Sequence, residues 1–521
     1  MREIMLIVDF GSQYTNLIAR RMRELGVEPV VVGWNNAVWA ALQHYEPKGI
    51  ILSGGPDSIY EPDSPSLDRA VLPSGIPVLG ICYGMHLMVD ALGGEVQAGE
   101  IGEYGSAEIL VHSESPLLKG LRIQQQVWAS HGDSVSQLPE GFRTTATGPE
   151  GQFSAIENVD RQLFAVQFHP EVDHTPHGRT ILRNFALSIC GFEGSWSWGD
   201  YLQLREGEIR RLVWGDQKAL VLVSGGVDST VAAVLADRAL GERAYLLHVD
   251  NGLMRKDESA QVLRTLEQLE VRNLVGIDAG EEFLAALKGV TDPEKKRQII
   301  GNVFVEVLER KMTDLGLSPD TSYLIQGTLY TDLVESGQGG TNKATIKSHH
   351  NASAELIVKW RESGRLLEPN DRIYKDEVRT FARALGIPEA IASRQPYPGP
   401  GLAIRILGEV NHESVAIARQ VDDIFISELE AAGIYGEISQ ALAVFKPVVR
   451  TTGVQGDART YGHEVTLRAV VTNDFMTVKF AELPWEVLRR ISTRITNELK
   501  GVVNRVTYDI TDKPPATTEW E

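Results

Sequence analysis

The stretch KALVLVSGGVDSTVAAVLA, residues 218–236, decides how the middle of the chain folds. Residues 219–223 form a short apolar run, which predicts a buried strand, and residues 228–235 have the apolar spacing of a helix. The glycines of SGGVDS therefore lie in a strand-to-helix turn. There, exposed backbone N–H groups and the positive end of the helix favour a bound anion, most naturally a phosphate. A turn that needs glycine only for its geometry is the alternative, and the serines and aspartate of SGGVDS favour the phosphate site.

The composition is that of a globular protein. Of its 521 residues, 43% are hydrophobic and 23% charged, and the length suggests roughly three domains. With a formal net charge of −19, we expect no general attraction to nucleic acid or to an anionic membrane. The start, MREIMLIVDFGSQ, lacks a signal-type apolar core and no window approaches a membrane span, so we expect a cytoplasmic protein. Two cysteines, Cys82 and Cys190, are too few for a disulfide framework or a four-thiolate zinc site.

A doubly wound α/β fold is predicted for the first 190 residues, where apolar runs such as EIMLIVDFG, GIILSGGP and IPVLGICYG alternate with helical patterns. In such folds function lies at strand ends. At one of them, Cys82 stands between Gly80 and Gly84, the arrangement of a nucleophile elbow. A helix N-terminus beside the cysteine favours the reactive thiolate. The alternative, a small buried hydrophobe, describes Cys190 better.

The string QLFAVQFHPEV, residues 162–172, supplies partners for a thiolate nucleophile. His169 can act as a base and Glu171 can orient its ring, since alternation along a strand puts both side chains on one side. An oxyanion also needs N–H donors, and LSGGPDS offers one near Gly55 while Tyr83 offers the other. Each piece alone is more often a plain turn. Together they favour acyl transfer from an amide.

These residues resemble a class I glutamine amidotransferase domain, with Cys82, His169 and Glu171 matching the triad of that family. The resemblance implies that glutamine is hydrolysed to release ammonia. One position departs from the family pattern, because the motif G-I-C-Y-G-M-H carries His86 where the family usually has glutamine. The departure leaves the nucleophile, the base and the oxyanion donors in place.

SGGVDS resembles the pyrophosphate-binding loop of the ATP pyrophosphatase family rather than a Walker A loop, because no Gly-Lys-Ser/Thr follows it. The resemblance implies that the loop holds the β- and γ-phosphates of ATP as a leaving group. It also implies that Asp228 helps to bind Mg²⁺ and that AMP is passed to an acceptor oxygen. LLHVDNG at 246–252 and IQGTLYTD at 325–332 lie where such a fold places nucleotide contacts. The implied ATP-binding residues are Ser224, Gly225, Gly226, Val227, Asp228, Ser229 and Thr230.

The last 130 residues contain four specific strings: RQPYPGPGLAIRILGEV at 394–410, VVRTTGVQGDARTYGHEVTLRAV at 448–470, NDFM at 473–476 and YDITDKPPATTEWE at 508–521. Together they resemble the dimerisation domain of the GMP synthetase family, so the resemblance covers essentially the whole chain. It implies a homodimer and names the acceptor as xanthosine 5′-monophosphate (XMP), aminated at purine C2. The implied XMP-site residues are Arg297, Gln440, Asp457, Arg459, Lys513, Thr518 and Glu519.

We therefore predict a carbon–nitrogen ligase with glutamine as amido donor, built from three domains. These are an amidotransferase domain at 1–192, an ATP pyrophosphatase domain at 193–394 and a C-terminal dimerisation and XMP-binding domain at 395–521. The first two are expected to be doubly wound α/β domains with mostly parallel sheets, and the third a small α/β module.

Two other functions stay open on the sequence. An NAD synthetase would use deamido-NAD as acceptor, which the C-terminal strings disfavour. A nucleotide-sensing or scaffold protein without glutaminase activity is suggested by His86 alone. Further departures from the family are Gln395 and Tyr397, where His and Phe are commoner, and the segment 348–374. The polar tail with its two prolines is functional chiefly by resemblance, since such tails are commonly disordered.

Overall fold

The computed structural model describes residues 3–35, 38–68, 70–112, 114–149, 151–328, 352–455, 457–472 and 477–521. The end of IQGTLYTD, the start of the 348–374 segment and the NDFM string lie outside these ranges. Within them the chain forms two compact units, the first ending at Asp200 and the second beginning at Tyr201. The predicted boundaries at 192/193 and 394/395 stay predictions.

The first unit is built on one large sheet flanked by helices. Its strands are β1 (Ile4–Asp9), β2 (Glu28–Gly33), β3 (Gly49–Leu52), β4 (Val78–Ile81), β5 (Glu95–Val111), β6 (Gln124–Gln137), β7 (Arg143–Thr147), β8 (Phe153–Asn158) and β9 (Leu163–Val166). Its helices are α1 (Thr15–Glu24), α2 (Val38–Tyr45), α3 (Tyr83–Ala91) and α4 (Gly178–Arg183), the last continued by a π-helical turn, Asn184–Ile189.

Among the described residues this sheet has the strand order β2-β1-β3-β4-β9-β8-β7-β5-β6. The strands from β2 to β9 pair in parallel, and those from β8 to β6 are antiparallel. In β1, Met5 and Ile7 enter one apolar core while Leu6 and Val8 enter another. Both faces of the parallel part are therefore covered, which leaves the carboxyl ends of its strands as the place for a site.

The second unit contains most of helix α5 (Trp198–Leu212), because the boundary between the units lies within that helix. Its strands are β10 (Lys218–Leu222), β11 (Ala244–Asp250), β12 (Asn273–Asp278), β13 (Ser322–Ile325), β14 (Leu366–Leu367), β15 (Gln440–Gln455), β16 (Ala458–Val471), β17 (Lys479–Phe480) and β18 (Val503–Tyr508). Its other helices are α6 (Val227–Leu240), α7 (Glu258–Gln268), α8 (Gly280–Ala286), α9 (Pro293–Leu315), α10 (Ala352–Glu362), α11 (Lys375–Ala384), α12 (Glu389–Ala392), α13 (His412–Ala431) and α14 (Trp485–Glu498).

The described residues of this unit form two sheets. The first is wholly parallel, in the order β12-β11-β10-β13-β14, with the predicted strand β10 at its centre. In the second, β16 pairs antiparallel with β15 and β17 and parallel with β18. One apolar core joins Phe283 and Ile300 to Phe425, Leu467 and Ile491, so residues of the predicted second and third domains pack together.

The predicted α/β fold class is confirmed. SGGVDS follows β10 and runs into α6, as its pattern predicted. The antiparallel extension of the first sheet, β8 to β6, was not foreseen. Across the part of the chain that the structure describes, no helix is both long and apolar enough to cross a membrane.

Candidate active sites

Cys82 stands at a sharp turn between β4 and α3. Its φ of +52° lies in the left-handed region that side chains other than glycine rarely adopt, and its N–H donates to the carbonyl of Val166 at 2.8 Å. The two flanking glycines allow this close approach of strand and helix. A Cβ on Gly80 would lie 2.8 Å from the carbonyl oxygen of Gly84, and one on Gly84 would lie 2.5 Å from that of Leu52. The sequence therefore builds the predicted elbow locally.

His169 and Glu171 form a buried pair beside this cysteine. The Nδ1 of His169 lies 2.7 Å from Oε1 of Glu171, whose side chain is fully buried. Burial disfavours a charged imidazole, but Glu171 and Cys82 outweigh it and raise the pKa of His169 well above its ordinary value. His169 and Glu171 both follow β9, which ends at Val166, so the predicted strand alternation does not orient them, and Thr175 fixes this segment by donating to the carbonyl of His169 at 2.7 Å. The protonated imidazole of His169 is thereby favoured.

The predicted oxyanion donors lie against each other at the same strand ends. A Cβ on Gly55 would be 3.0 Å from a ring carbon of Tyr83, and Tyr83 is the first residue of α3, so its N–H has no acceptor within that helix. Gly54, which was not among the predicted site residues, lies in the same turn. A Cβ there would lie 3.0 Å from Cε1 of His169 and 3.8 Å from the Cβ of Cys82, so only glycine leaves the gap between base and nucleophile open. The glycine pair in LSGGPDS was the available signal.

SGGVDS shapes one wall of a cavity of about 640 Å³ in the second unit. Gly225 has φ +88°, and Gly226 caps α6 in an extended conformation. The hydroxyls of Ser224 and Ser229 lie 3.0 Å apart, and Thr230 donates to the carbonyl of Gly226 at 2.8 Å. The loop residues on the cavity wall are Ser224, Gly226, Val227, Asp228 and Ser229. Gly225 and Thr230 lie behind that wall and hold its shape.

Three residues outside the motif position the loop. Arg394 donates to the carbonyl of Gly225 at 2.8 Å and pairs with Glu258. Asn370 donates to the carbonyl of Asp228 at 3.0 Å. Pattern reasoning did not identify Arg394, although it opens the string RQPYPGPG, and nothing in the local sequence marks Asn370.

Asp228 fits a role in binding Mg²⁺. This residue lies in the first turn of α6 and lines the cavity. Within the described ranges, no three His, Cys, Asp or Glu side chains gather as a metal cage. This donor set suits Mg²⁺, which is commonly held by one or two carboxylates together with substrate phosphates and water. Binding of Mg²⁺ stays a prediction.

The predicted XMP residues lie at the cavity, in or against the carboxyl-terminal tail, and at the turn between β15 and β16. Arg297 lines the cavity, together with the cations Lys375 and Arg394. Gln440 donates to Glu519 at 2.7 Å. Asp457 and Arg459 are exposed at the turn between β15 and β16. Lys513 forms a backbone bridge with Val478, and the carbonyl of Thr518 accepts from Arg468.

Buried cations, which the sequence analysis did not identify, anchor the carboxyl-terminal tail. Arg405 makes two hydrogen bonds to the carboxylate of Glu519, at 2.8 and 3.1 Å. Arg468 holds the carbonyls of Thr517 and Thr518, and Lys296 pairs with the final residue, Glu521, at 2.5 Å. All three cations are fully buried, so the tail supplies carboxylates and carbonyls that they require. This arrangement places the tail beside α9, next to the cavity residue Arg297.

Comparison with known proteins identifies the family. The model of glutamine amidotransferase class-I matches residues 6–189, and that of the GMP synthase C terminal domain matches residues 427–520. The chain is 45% identical over 521 residues to the GMP synthase [glutamine-hydrolyzing] of Clostridium perfringens, with all of both chains covered. It is 48% identical over 524 residues to that of Symbiobacterium thermophilum, covering all of this chain and 99% of the relative. The protein of that name from Kluyveromyces lactis is 46% identical over 521 residues, with 100% and 98% covered.

The chain belongs to the GMP synthase family. The resemblance predicted from the motifs is thereby confirmed, and it extends over the full length of these relatives. The roles of single residues stay predictions.

Gln395 and Tyr397, the two residues near the cavity that differ from the usual GMP synthase pattern, have well-defined partners. The amide of Gln395 donates to the carbonyl of Ile438 at 3.0 Å and accepts from the N–H of Ala441 at 2.9 Å. The ring of Tyr397 contacts the guanidinium groups of Arg255 and Arg405, and burial raises the pKa of its hydroxyl. Both residues are therefore accommodated in the fold.

Proposed function

We propose that the chain catalyses glutamine-dependent synthesis of GMP. Ammonia is released from glutamine in the first unit, and the second unit uses ATP to activate XMP, which ammonia then converts to GMP. The observation that carries this proposal is the full-length similarity to proteins named GMP synthase [glutamine-hydrolyzing], at 45% to 48% identity. The clustering of Cys82, His169 and Glu171 supports the first half-reaction.

In that half-reaction the thiolate of Cys82 attacks the side-chain amide carbon of glutamine. His169 protonates the departing nitrogen, so ammonia leaves and a glutamyl thioester remains. His169 then takes a proton from water, which attacks the thioester and frees glutamate and the thiolate. Glu171 keeps the ring oriented through its 2.7 Å contact, and the N–H groups of Gly55 and Tyr83 hold the oxyanion in both steps.

In the second half-reaction the C2 oxygen of XMP attacks the α-phosphorus of ATP, and the bond to the bridging oxygen of pyrophosphate breaks. The SGGVDS loop holds the leaving pyrophosphate through its backbone N–H groups at the start of α6. Mg²⁺, when bound by the phosphates and Asp228, supplies charge neutralisation. Ammonia then attacks C2 and AMP departs.

The XMP site we propose contains Arg297 and the tail residues near it. Arg297 on the cavity wall offers a charge for the 5′-phosphate, and Gln440 with Glu519 offers polar partners for the base. Asp457, Arg459, Lys513 and Thr518 are proposed by family position. The buried contacts from Lys296 and Arg405 to the tail support this location.

The test follows GMP, AMP and pyrophosphate from purified chain with ATP, Mg²⁺ and XMP, with nitrogen supplied as glutamine or as ammonium. Deamido-NAD replaces XMP in a parallel reaction. We expect GMP from both nitrogen sources and no product from deamido-NAD. Cys82→Ala should abolish the glutamine reaction and keep the ammonium reaction. The control variant Cys190→Ala, which replaces the second of the two buried cysteines, should keep both reactions. Loss of both reactions in Cys82→Ala would reject the two-site scheme.

We also propose a cytoplasmic homodimer that binds no nucleic acid. Val448, Val454 and Tyr461 on β15 and β16, with Trp485 on α14, are between 58% and 82% exposed, which supports a partner surface on this region. One chain has a mass of 57.4 kDa, and sedimentation velocity of the full chain should give twice that mass. A monomer at all concentrations would contradict the dimer. Cell fractionation tests the compartment.

A further inference from the structure

His86 lies in the first turn of α3, four residues after the N-cap residue Cys82. Its side chain is 3% exposed, and its Nε2 is 2.8 Å from Oε1 of Gln167. Gln167 is also buried and directly follows β9, two residues before His169. A buried hydrogen bond thus connects His86, which departs from the family pattern, to the segment after β9 that carries the predicted base.

The other end of the Gln167 amide faces the nucleophile. Its Nε2 lies 4.0 Å from the sulfur of Cys82, within reach of a weak N–H···S hydrogen bond. An amide has one accepting end and one donating end, so when the ring of His86 donates to Oε1, the NH₂ group must point to the sulfur. Burial lowers the pKa of His86, against the effect of its bond to Gln167, and so favours the neutral ring. In the neutral ring, the tautomer that matches Oε1 of Gln167 as an acceptor has its proton on Nε2.

We propose that His86 is a positioning residue for glutamine hydrolysis, holding the amide of Gln167 so that its N–H donates to the sulfur of Cys82. The sulfur carries negative charge twice, as the attacking thiolate and again when it leaves the thioester. A fixed N–H donor, in addition to His169, stabilises the sulfur at both moments. The inference rests on the proposed role of Cys82 as nucleophile.

The chemistry of position 86 explains why histidine can stand where the family usually has glutamine. Both side chains offer an N–H to a neighbouring carbonyl, and neither carries a charge when buried here. His86→Gln is therefore the conservative variant. His86→Phe keeps a flat ring of similar size and removes the donor.

The first experiment measures alkylation of Cys82 by iodoacetamide as a function of pH, with the modified peptide quantified by mass spectrometry. Peptide mapping separates Cys82 from Cys190, so the readout reports the sulfur itself. We expect the alkylation midpoint of His86→Phe to rise by about 0.5 to 1 pH unit, which is the effect of one neutral hydrogen bond. His86→Gln should restore the midpoint of the parent chain.

The second experiment measures glutaminase kinetics and a double-mutant cycle. His86→Phe and Gln167→Leu should each lower kcat/KM for glutamine about threefold to tenfold. The double variant should have a kcat/KM no lower than that of the more strongly affected single variant. Ammonium-dependent GMP formation, which bypasses Cys82, reports whether each variant is folded.

The inference is overturned if the alkylation midpoint of His86→Phe does not move, or if the two single losses multiply in the double variant. A failure of the proposed function gives a different pattern, in which Cys82→Ala still hydrolyses glutamine. The alkylation midpoint would then still decide whether His86 and Gln167 act on the sulfur.

Discussion

Replacing Gly225 by alanine tests whether the SGGVDS loop depends on a backbone that only glycine tolerates. Gly225 has φ +88°, and an added Cβ would lie 2.4 Å from Cγ2 of Val262 and 3.1 Å from Nη1 of Arg394. Val262 is a buried residue of α7, so it has little room to withdraw. Gly226 provides a matched control. Its φ is −72° and its ψ is 158°, and the nearest atom to its Cβ would be the hydroxyl of Ser224, at 3.6 Å.

The size of the effect follows from two costs. A left-handed conformation costs an L-residue about 1–2 kcal/mol, and overpacking a core position costs about 1–3 kcal/mol. Gly225→Ala should therefore lower the local free energy of unfolding by about 2–5 kcal/mol. In Gly226→Ala the added Cβ makes only an ordinary van der Waals contact, and alanine lowers the conformational entropy of the unfolded chain. This substitution should therefore change the local free energy of unfolding by less than about 1 kcal/mol.

Hydrogen exchange followed by mass spectrometry across a urea titration is the appropriate assay, because it reads peptides of β10 and α6 separately from the first unit. Peptides from β1 and β3 serve as an internal reference that should not change. Equal losses in the two alanine variants, or no loss in Gly225→Ala, would refute the argument from backbone geometry.

Two further predictions concern buried charges. Glu171→Gln removes a negative charge that helps to raise the pKa of His169, although burial of the ring lowers that pKa. The stability that protonated His169 contributes is full below its unfolded pKa and is lost as pH rises through its raised folded pKa. Melting temperatures of variant and parent should thus differ more at about pH 6 than at about pH 9, and a constant difference would contradict this assignment. Glu521→Gln removes the carboxylate that pairs with Lys296 and leaves this buried ammonium with neutral acceptors, which include the carbonyls of Ala403 and Ile406, so the tail at 509–520 should lose about 1–3 kcal/mol of protection from hydrogen exchange. The exposed control Glu482→Gln should stay within about 0.5 kcal/mol, and similar losses in both variants would show that the buried pair is not responsible.

Local motifs predicted much of the fold and most of the first site. Residues 219–223 were expected to form a strand and residues 228–235 a helix, and the structure has β10 at Lys218–Leu222 and α6 at Val227–Leu240. The helix was underestimated at its end because apolar periodicity weakens in a helix that is buried on nearly every side. The Cys82 turn was predictable because its glycines and the following helix are contiguous in the chain.

The carboxyl-terminal tail shows the limit of such reasoning. Its composition predicted disorder as readily as function, since a polar segment with two prolines has no apolar surface to bury. Its order comes from Lys296, which is 225 residues away from Glu521 along the chain, and from Arg405, which is 114 residues from Glu519. No local pattern reports that a distant lysine or arginine is buried and needs a carboxylate.

By itself, the sequence determined the α/β class, the two strand-to-helix turns that carry Cys82 and SGGVDS, and the family to which the chain belongs. These features depend on residues close together in the chain, where steric limits on the backbone act directly. Only the tertiary structure decided that Gly54 keeps the gap between Cys82 and His169 open and that His86 reaches the sulfur through Gln167. Such contacts join residues from different strands and helices, and their distances are set by the packing of the whole core.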